Sequence, residues 1–170
     1  MLFMKLRIKT DTPEEGDLLT ASTAPFSPAA IGKLEGVFEE ELPLLRQGAE
    51  SYAEVEISLS FLDPSEMAEV NKQHRGLDEP TDVLTFPLWE EEEHFAPIGL
   101  LLLGDIVICP AEAEREHAPM GRVEALCLVL AHGFLHLLGW DHDTPEKEQA
   151  MWGRQELLKS KLLGAVEEAS

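Results

Sequence analysis

The sequence predicts an α+β fold in which one mixed sheet of about four strands packs against helices. Segments that alternate like strands and segments with helical spacing follow each other without strict β-α-β order. One helical segment, residues 120–138, is nearly all apolar from Ala125 onward, so we expect it to be buried. The length of 170 residues suits a single domain spanning residues 1–170.

The first third of the chain is predicted to contain two strands and one helix. Lysine and arginine alternate with apolar residues over 5–9, which predicts the first strand. Residues 10–28 are rich in Thr, Pro, Ser, Glu and Ala, and we expect them to form an exposed loop. Apolar residues at helical spacing predict a helix over 28–46, and strict alternation predicts a second strand over 55–61.

The middle of the chain is predicted to add a short helix and two more strands. Asp63 and Pro64 are typical of an N-cap and a first helical residue, which predicts a helix reaching about Gln73. Residues 83–86 predict a third strand, which the following proline ends. Residues 100–109 are almost continuously apolar, as is typical of a central strand, and a short helix that begins with proline follows.

The last third is predicted to be helical. Gly139 is placed to end the buried helix in a left-handed conformation. Thr144 and Pro145 then supply an N-cap and a first helical residue, so a last amphipathic helix is expected through Leu162.

The charge balance and the cysteines limit the function classes. The chain has 33 acidic and 13 basic residues and a net charge of −20, which argues against a general binder of polyanions. Its apolar stretches fall short of the roughly 18 residues that span a bilayer, and the N-terminus lacks a signal-peptide core. We therefore expect a cytoplasmic protein that binds neither membranes nor DNA. Cys109 and Cys127 form no CxxC pair and are expected to be buried as small apolar residues.

Three histidines form the strongest functional pattern. His132 and His136 lie four residues apart on the predicted buried helix, so their side chains project from one face. His142 follows the turn at Gly139. Two neutral histidines buried at this spacing would need partners for four ring nitrogens, which makes a purely structural role difficult. Three imidazoles suit one tetrahedral Zn²⁺ with an open fourth position, which is typical of catalytic zinc, although imidazole also accepts nickel and other divalent metals.

The spacing resembles the HExxHxxGxxH pattern of zinc proteases, with one difference that bears on chemistry. Gly133 occupies the position of the glutamate that serves those enzymes as general base. A protease is therefore disfavoured. Three neutral ligands leave the full charge of the metal in place, which suits an anionic phosphodiester.

The chain resembles the YbeY family of bacterial endoribonucleases, also called rRNA maturation factors. The pattern HGxLHLxGxDH is matched at every fixed position from His132 to His142. Further stretches resemble the family in the same order: 71–76 (NKQHRG), 80–87 (PTDVLTFP, with Thr85 at a common serine position), 103–108 (LGDIVI), and Met151 with 155–156.

The resemblance implies a metal-dependent, single-strand-specific endoribonuclease that acts in small-subunit rRNA maturation and ribosome quality control. It implies that His132, His136 and His142 bind one zinc ion per chain and that Arg75 is catalytic, since a guanidinium can bind a phosphate and stabilise developing charge. Alternatively, Arg75 forms an ion pair with a nearby acid.

Four further residues are expected around the site. Lys72 and His74 are candidate RNA contacts beside Arg75. Asp105 and Asp141 are candidates to hydrogen-bond a ligand imidazole, a role that carboxylates often have near zinc. A structural turn is the equal alternative for Asp105.

The acidic charge leaves three functions open. The first is the endoribonuclease, which would need local positive charge from the metal, Arg75, Lys72 and the basic strand 5–9, or protein partners on the small ribosomal subunit. The second is a metallohydrolase of another class, such as a protease or an amidase. The third is a non-catalytic, zinc-containing ribosome-assembly factor.

Overall fold

The computed structural model describes residues 4–10, 25–48, 52–88 and 99–170. The strands and helices are β1 (Lys5–Thr10), α1 (Pro28–Leu45), β2 (Glu54–Phe61), α2 (Pro64–Arg75), β3 (Val83–Pro87), β4 (Leu100–Ile108), α3 (Pro110–Glu116), α4 (Arg122–Leu137) and α5 (Pro145–Glu168). The predicted N-caps Asp63 and Thr144 each accept a backbone hydrogen bond at the start of their helix.

The four strands form one mixed sheet in the order β1-β2-β4-β3. β1, β2 and β4 run parallel, whereas β3 runs antiparallel to β4. The predicted α+β class and the central position of residues 100–109 are therefore confirmed. The third strand is longer than predicted, because Pro87 still pairs with Gly104 at the edge of the sheet.

Helices cover both faces of the sheet. α1, α4 and α5 pack on one face in the main hydrophobic core, where the rings of Phe38 and Phe134 stack with centroids 4.1 Å apart. α2 packs on the other face, where Met67 contacts a smaller cluster with Leu84 and Cys109. Both cysteines are buried free thiols, as predicted. Among the described residues, no helix is long and apolar enough to cross a membrane.

A bulge in β4 requires glycine. The register between β2 and β4 shifts after Leu102, so that Gly104 rather than Leu103 pairs with Ile57. Gly104 has φ +147°, and a Cβ there would lie 2.4 Å from the carbonyl oxygen of Phe86. The bulge therefore depends on a residue without a side chain.

The outer edge of β1 is covered by carboxylates from α1. The backbone N–H of Leu6 donates to Glu39 at 3.0 Å, and that of Ile8 donates to Glu35 at 2.8 Å. These N–H groups point away from β2 and would otherwise be available to another strand. The predicted loop over 10–28 falls mostly on residues 11–24, which lie outside the described residues.

Candidate metal centre

The three predicted histidines converge. The Nε2 atoms of His132 and His136 are 2.9 Å apart. The ring of His142 has its centroid 5.8 Å from that of His132 and 5.3 Å from that of His136. One ring nitrogen from each histidine lies within 4.8 Å of the others. Within the described parts of the chain, no fourth His, Cys, Asp or Glu side chain joins this group.

The turn after α4 carries His142 into place. Gly139 has φ +88°, and the N–H of Trp140 donates to the carbonyl of Leu135 at 3.0 Å, as in a helix end closed by a left-handed residue. The indole Nε1 of Trp140 donates to the carbonyl of Leu45 at 3.3 Å, which attaches the turn to the end of α1. The sequence predicted the glycine but not this attachment.

The environment favours neutral imidazoles. Burial, followed by the Coulombic effect of nearby histidines, lowers the pKa of His136. Burial is also the largest cause of the lowered pKa of His132. Neutral imidazole is the form that binds metal. Two nitrogens bound to a tetrahedral zinc at about 2.0–2.1 Å stand about 3.4 Å apart, so a small adjustment of the two rings fits the ion.

A glutamine not predicted from the sequence orients the first histidine. Oε1 of Gln155 lies 2.7 Å from Nδ1 of His132. The glutamine side-chain oxygen can only accept, so it favours the tautomer with hydrogen on Nδ1 and leaves Nε2 unprotonated for a metal. One feature of the sequence could have identified Gln155. It lies four residues after the buried Met151, and therefore on the same face of α5, which packs toward α4.

Gly133 packs tightly against the sheet. A Cβ at this position would lie 3.0 Å from Cγ2 of Ile106 and 3.3 Å from Cγ2 of Thr85. α4 therefore lies closely on β3 and β4 here, and a larger side chain at this position would require Ile106 and Thr85 to shift.

The histidines line a cavity of about 440 Å³. Its other lining residues are Arg75, Thr81, Asp82, Val83, Thr85, His117, Leu128, Val129, Trp152 and Gln155. Arg75 is thus placed at the same cavity as the histidines. It makes no ion pair with any residue that the structure describes: the nearby Asp78 pairs with Lys72 instead.

The structure separates other predicted residues from the cavity. Lys72 is exposed in its ion pair with Asp78. His74 packs against Phe86, with ring centroids 4.6 Å apart, and lines a different pocket together with Asp105. That pocket lies on the face of the sheet that α2 covers. The expectation that Asp105 hydrogen-bonds a ligand imidazole is therefore wrong in position, because neighbouring residues of β4 point to opposite faces.

The structure also bears on two other expectations, the role of Asp141 and the contribution of the basic strand 5–9. The carboxylate of Asp141 accepts from the backbone N–H of His142 at 2.7 Å, so it orients the chain rather than a ring in this structure. The basic strand 5–9 is β1, which forms the edge of the sheet opposite β3. Its Arg7 and Lys9 pair with Glu54 and Glu56. The strand therefore supplies no positive charge to the cavity.

An unassigned pair also lines the cavity. Nε2 of His117 lies 3.0 Å from Oδ2 of Asp82, while Oδ1 of Asp82 accepts from the N–H of Val83 at 2.8 Å. No sequence pattern connects these two residues, which are 35 positions apart.

The fold and the site together define a protein with three histidines that could hold a metal ion, placed in a cavity between a mixed sheet and its helices. The profile of the family described as "Endoribonuclease YbeY" matches residues 28–163. The chain belongs to this family.

Individual relatives agree with this assignment. The chain is 44% identical over 121 residues to the endoribonuclease YbeY of Shouchella clausii, covering 66% of this chain and 76% of that protein. It is 34% identical over 139 residues to the endoribonuclease YbeY of a Thermoanaerobacter species, covering 76% of this chain and 87% of that protein. The solution structure of TM1509 from Thermotoga maritima is similar, with a TM-score of 0.50, 28% identity and coverage of 94% of this chain and 89% of that one.

Proposed function

We propose that this protein is a zinc-dependent, single-strand-specific endoribonuclease that acts in small-subunit rRNA maturation and ribosome quality control. The observation that carries the proposal is the convergence of three histidines, two with lowered pKa, on a cavity that Arg75 also lines. The name of the family supports the reaction class. The proposal extends to residues 1–170 as one domain and to a cytoplasmic location.

The cavity is suited to an anionic substrate. His132, His136 and His142 would hold the ion, which when bound supplies Lewis acidity toward a phosphoryl oxygen and toward water. Arg75 would bind a non-bridging phosphate oxygen and stabilise its increasing charge. Gly133 occupies the position at which zinc proteases carry their glutamate base, and the absence of a base there disfavours a protease or an amidase.

Trp152 supports the preference for single strands. Its side chain is 54% exposed and lines the cavity, and α5 also places Gln155 there. Exposed aromatic rings stack on unpaired bases, whereas bases in a duplex are already stacked. Stacking also contributes affinity for RNA without the need for positive charge, which suits a chain with a net charge of −20.

The partners follow from the same charge balance. We propose that ribosomal RNA is the substrate and that proteins of the small subunit contribute to its recognition, because most described basic side chains already pair with acids. Neither DNA nor a membrane is a proposed partner. Nickel or another divalent metal remains an alternative to zinc.

Cleavage assays with matched variants test the proposal. Zinc-loaded protein should cut single-stranded RNA and leave duplex RNA and casein intact. Arg75→Ala should reduce cleavage by at least about 100-fold, as for loss of a group that stabilises transition-state charge. Arg154→Ala is the control, because Arg154 is an exposed arginine outside the cavity.

Metal analysis addresses the alternatives. The wild type should bind about one zinc per chain, and the triple variant of the ligand histidines should bind none. If a folded His136→Ala variant, purified identically, still cleaved RNA at the wild-type rate, a contaminating nuclease would explain the activity. A wild type that bound zinc without cleaving RNA would favour the assembly factor.

A further inference from the structure

We propose that His117, held by Asp82, is the general acid that protonates the leaving 5′-oxygen when RNA is cut. The inference rests on the proposed endoribonuclease function and assigns a catalytic role to a pair of residues outside the metal ligands.

The geometry of the pair is that of an oriented proton donor. Oδ2 of Asp82 lies 3.0 Å from Nε2 of His117. The other carboxylate oxygen accepts from the N–H of Val83 at 2.8 Å and from Oγ1 of Thr81 at 3.3 Å, so the carboxylate is fixed at the start of β3. The side chains of His117 and Asp82 are 28% and 18% exposed, so the pair is sheltered and still accessible.

The pair belongs to the wall of the catalytic cavity. Asp82 and His117 line it together with Arg75 and the three ligand histidines.

The chemistry of the reaction benefits from such a group. Breaking the P–O5′ bond leaves an alkoxide, which departs faster when a general acid protonates it during bond breaking. Arg75 does not fill this role, because an arginine side chain does not release a proton in proteins. The three ligand histidines are needed by the metal. Among the described residues of the cavity, His117 is the remaining histidine, and histidine is the side chain that most often acts as a general acid.

Proton transfer from His117 accompanies the breaking of the P–O5′ bond. An attacking oxygen, from water or from the adjacent 2′-hydroxyl, forms a new bond to phosphorus and releases its proton to solvent. The P–O5′ bond breaks, its electron pair stays on O5′, and O5′ takes the proton from His117. Because Asp82 engages Nε2, we assign donation to Nδ1. The neutral imidazole then regains a proton from solvent.

Asp82 holds the acid in one orientation. The titratable groups around His117 are Asp82 at the entry to β3, Glu116 on α3 and His132 on α4. The first two are carboxylates, which accept hydrogen bonds from an imidazole N–H, and the bond from His117 to Asp82 fixes the ring. Asp82 is therefore a positioning residue, and its effect should depend on His117.

A substrate with sulphur in place of the bridging 5′-oxygen tests the role directly. A thiolate leaves without protonation, so the cleavage of this 5′-phosphorothiolate does not need a general acid. His117→Ala and His117→Gln should each lower the rate on the ordinary RNA by about 100-fold or more. Both variants should cut the sulphur substrate within about threefold of the wild-type rate, because only proton donation is lost.

The His117→Gln variant separates structure from chemistry. The amide that it introduces can still hydrogen-bond to Asp82 but cannot donate a proton to O5′ at neutral pH. Asp82→Asn should lower the rate on ordinary RNA in wild type and add little in the His117→Ala background.

The outcomes distinguish the two proposals. If the His117 variants lost equal activity on both substrates, His117 would have a structural or binding role and the inference would be overturned. If the wild type cut neither substrate, the endoribonuclease proposal itself would fail. Circular dichroism and zinc content of each variant establish that the fold and the metal centre are intact.

Discussion

Gln155 contacts His132 across the interface between α5 and α4, with Oε1 2.7 Å from Nδ1. The contact fixes the tautomer in which Nε2 of His132 is unprotonated and faces Nε2 of His136. A residue from the last helix thus orients a predicted metal ligand on the preceding helix.

Gln155→Leu should therefore weaken zinc binding. Loss of an outer hydrogen-bond partner of a ligand histidine typically costs about 10–100-fold in metal affinity. Competition with a chromophoric chelator measures the effect. Gln155→Glu is the matched control, because its carboxylate also accepts from Nδ1–H, and it should retain at least wild-type affinity. Equal weakening in both variants would contradict the role assigned to this contact.

Gly104→Ala should destabilise the protein by at least about 2 kcal/mol, because it adds both backbone strain and overpacking. Its Cβ would lie 2.4 Å from the carbonyl of Phe86 and 2.8 Å from Cδ2 of Leu137. Urea unfolding gives the free energy of unfolding. In the control Gly36→Ala, an exposed helical glycine with nothing within 4 Å of its Cβ, stability should rise by about 0.5–1 kcal/mol. If Gly104→Ala left the free energy of unfolding unchanged, the bulge would not require a residue without a side chain.

The metal-free protein should lose stability as pH falls through 6.5. Burial lowers the pKa of His132 and His136 below their ordinary value of 6.5, so the unfolded chain binds more protons than the folded one in this range. The contribution of these two histidines to the free energy of unfolding is fully present above pH 6.5. It is lost as the pH falls from 6.5 toward their lowered pKa values. Denaturant unfolding between about pH 5.5 and 8 in the presence of a chelator measures it.

The control for this dependence removes the two titrating groups. Replacement of both His132 and His136 by Gln should flatten the pH dependence between 6.5 and the lowered pKa values. An unchanged slope would assign the effect to other residues.

Cys127 should resist thiol reagents in the folded protein. Burial, reinforced by Glu167 and Glu124, raises the pKa of its thiol to about 12, so very little reactive thiolate forms at about pH 8. Burial also raises the pKa of Cys109. Reaction with a disulfide reagent at this pH should be slow for the native protein and should reveal two thiols in denaturant. Fast labelling of either cysteine in the native protein would disagree with the burial observed.

RNA binding should be weak and only slightly dependent on salt. The logarithm of affinity falls with the logarithm of salt concentration by about 0.7 per phosphate contact for single strands, and we expect few such contacts. Trp152→Ala should weaken binding of a single-stranded oligonucleotide by about 1–3 kcal/mol and leave the salt slope unchanged, because stacking involves no ion release. A steep slope in the wild type would reveal many phosphate contacts.

The local features of the fold and site followed from the sequence. Alternation and helical spacing located the strands and helices, and the caps at Asp63 and Thr144 marked where two helices begin. The three histidines were found because two lie on one helix and the third follows a glycine turn, so their convergence depends on a segment of only 11 residues, 132–142.

Contacts between distant segments did not follow from the sequence. Gln155 meets His132, and Asp82 meets His117, only after α5 and α3 pack against their neighbours. The strand order was also not predicted, so the basic strand β1 was assigned to a site from which the sheet separates it. Asp105 was misplaced for a related reason. In a strand buried on both faces, the apolar pattern does not indicate which residues face the histidines.

The two α1 carboxylates that bind the N–H groups of Leu6 and Ile8 affect how molecules of this protein meet one another. A fifth strand from a neighbouring molecule could join β1 only by displacing Glu35 and Glu39 and by approaching a helix that stands in its path. Part of the strong negative charge thus protects the sheet against edge-to-edge aggregation, a use of acidic residues that requires no ligand.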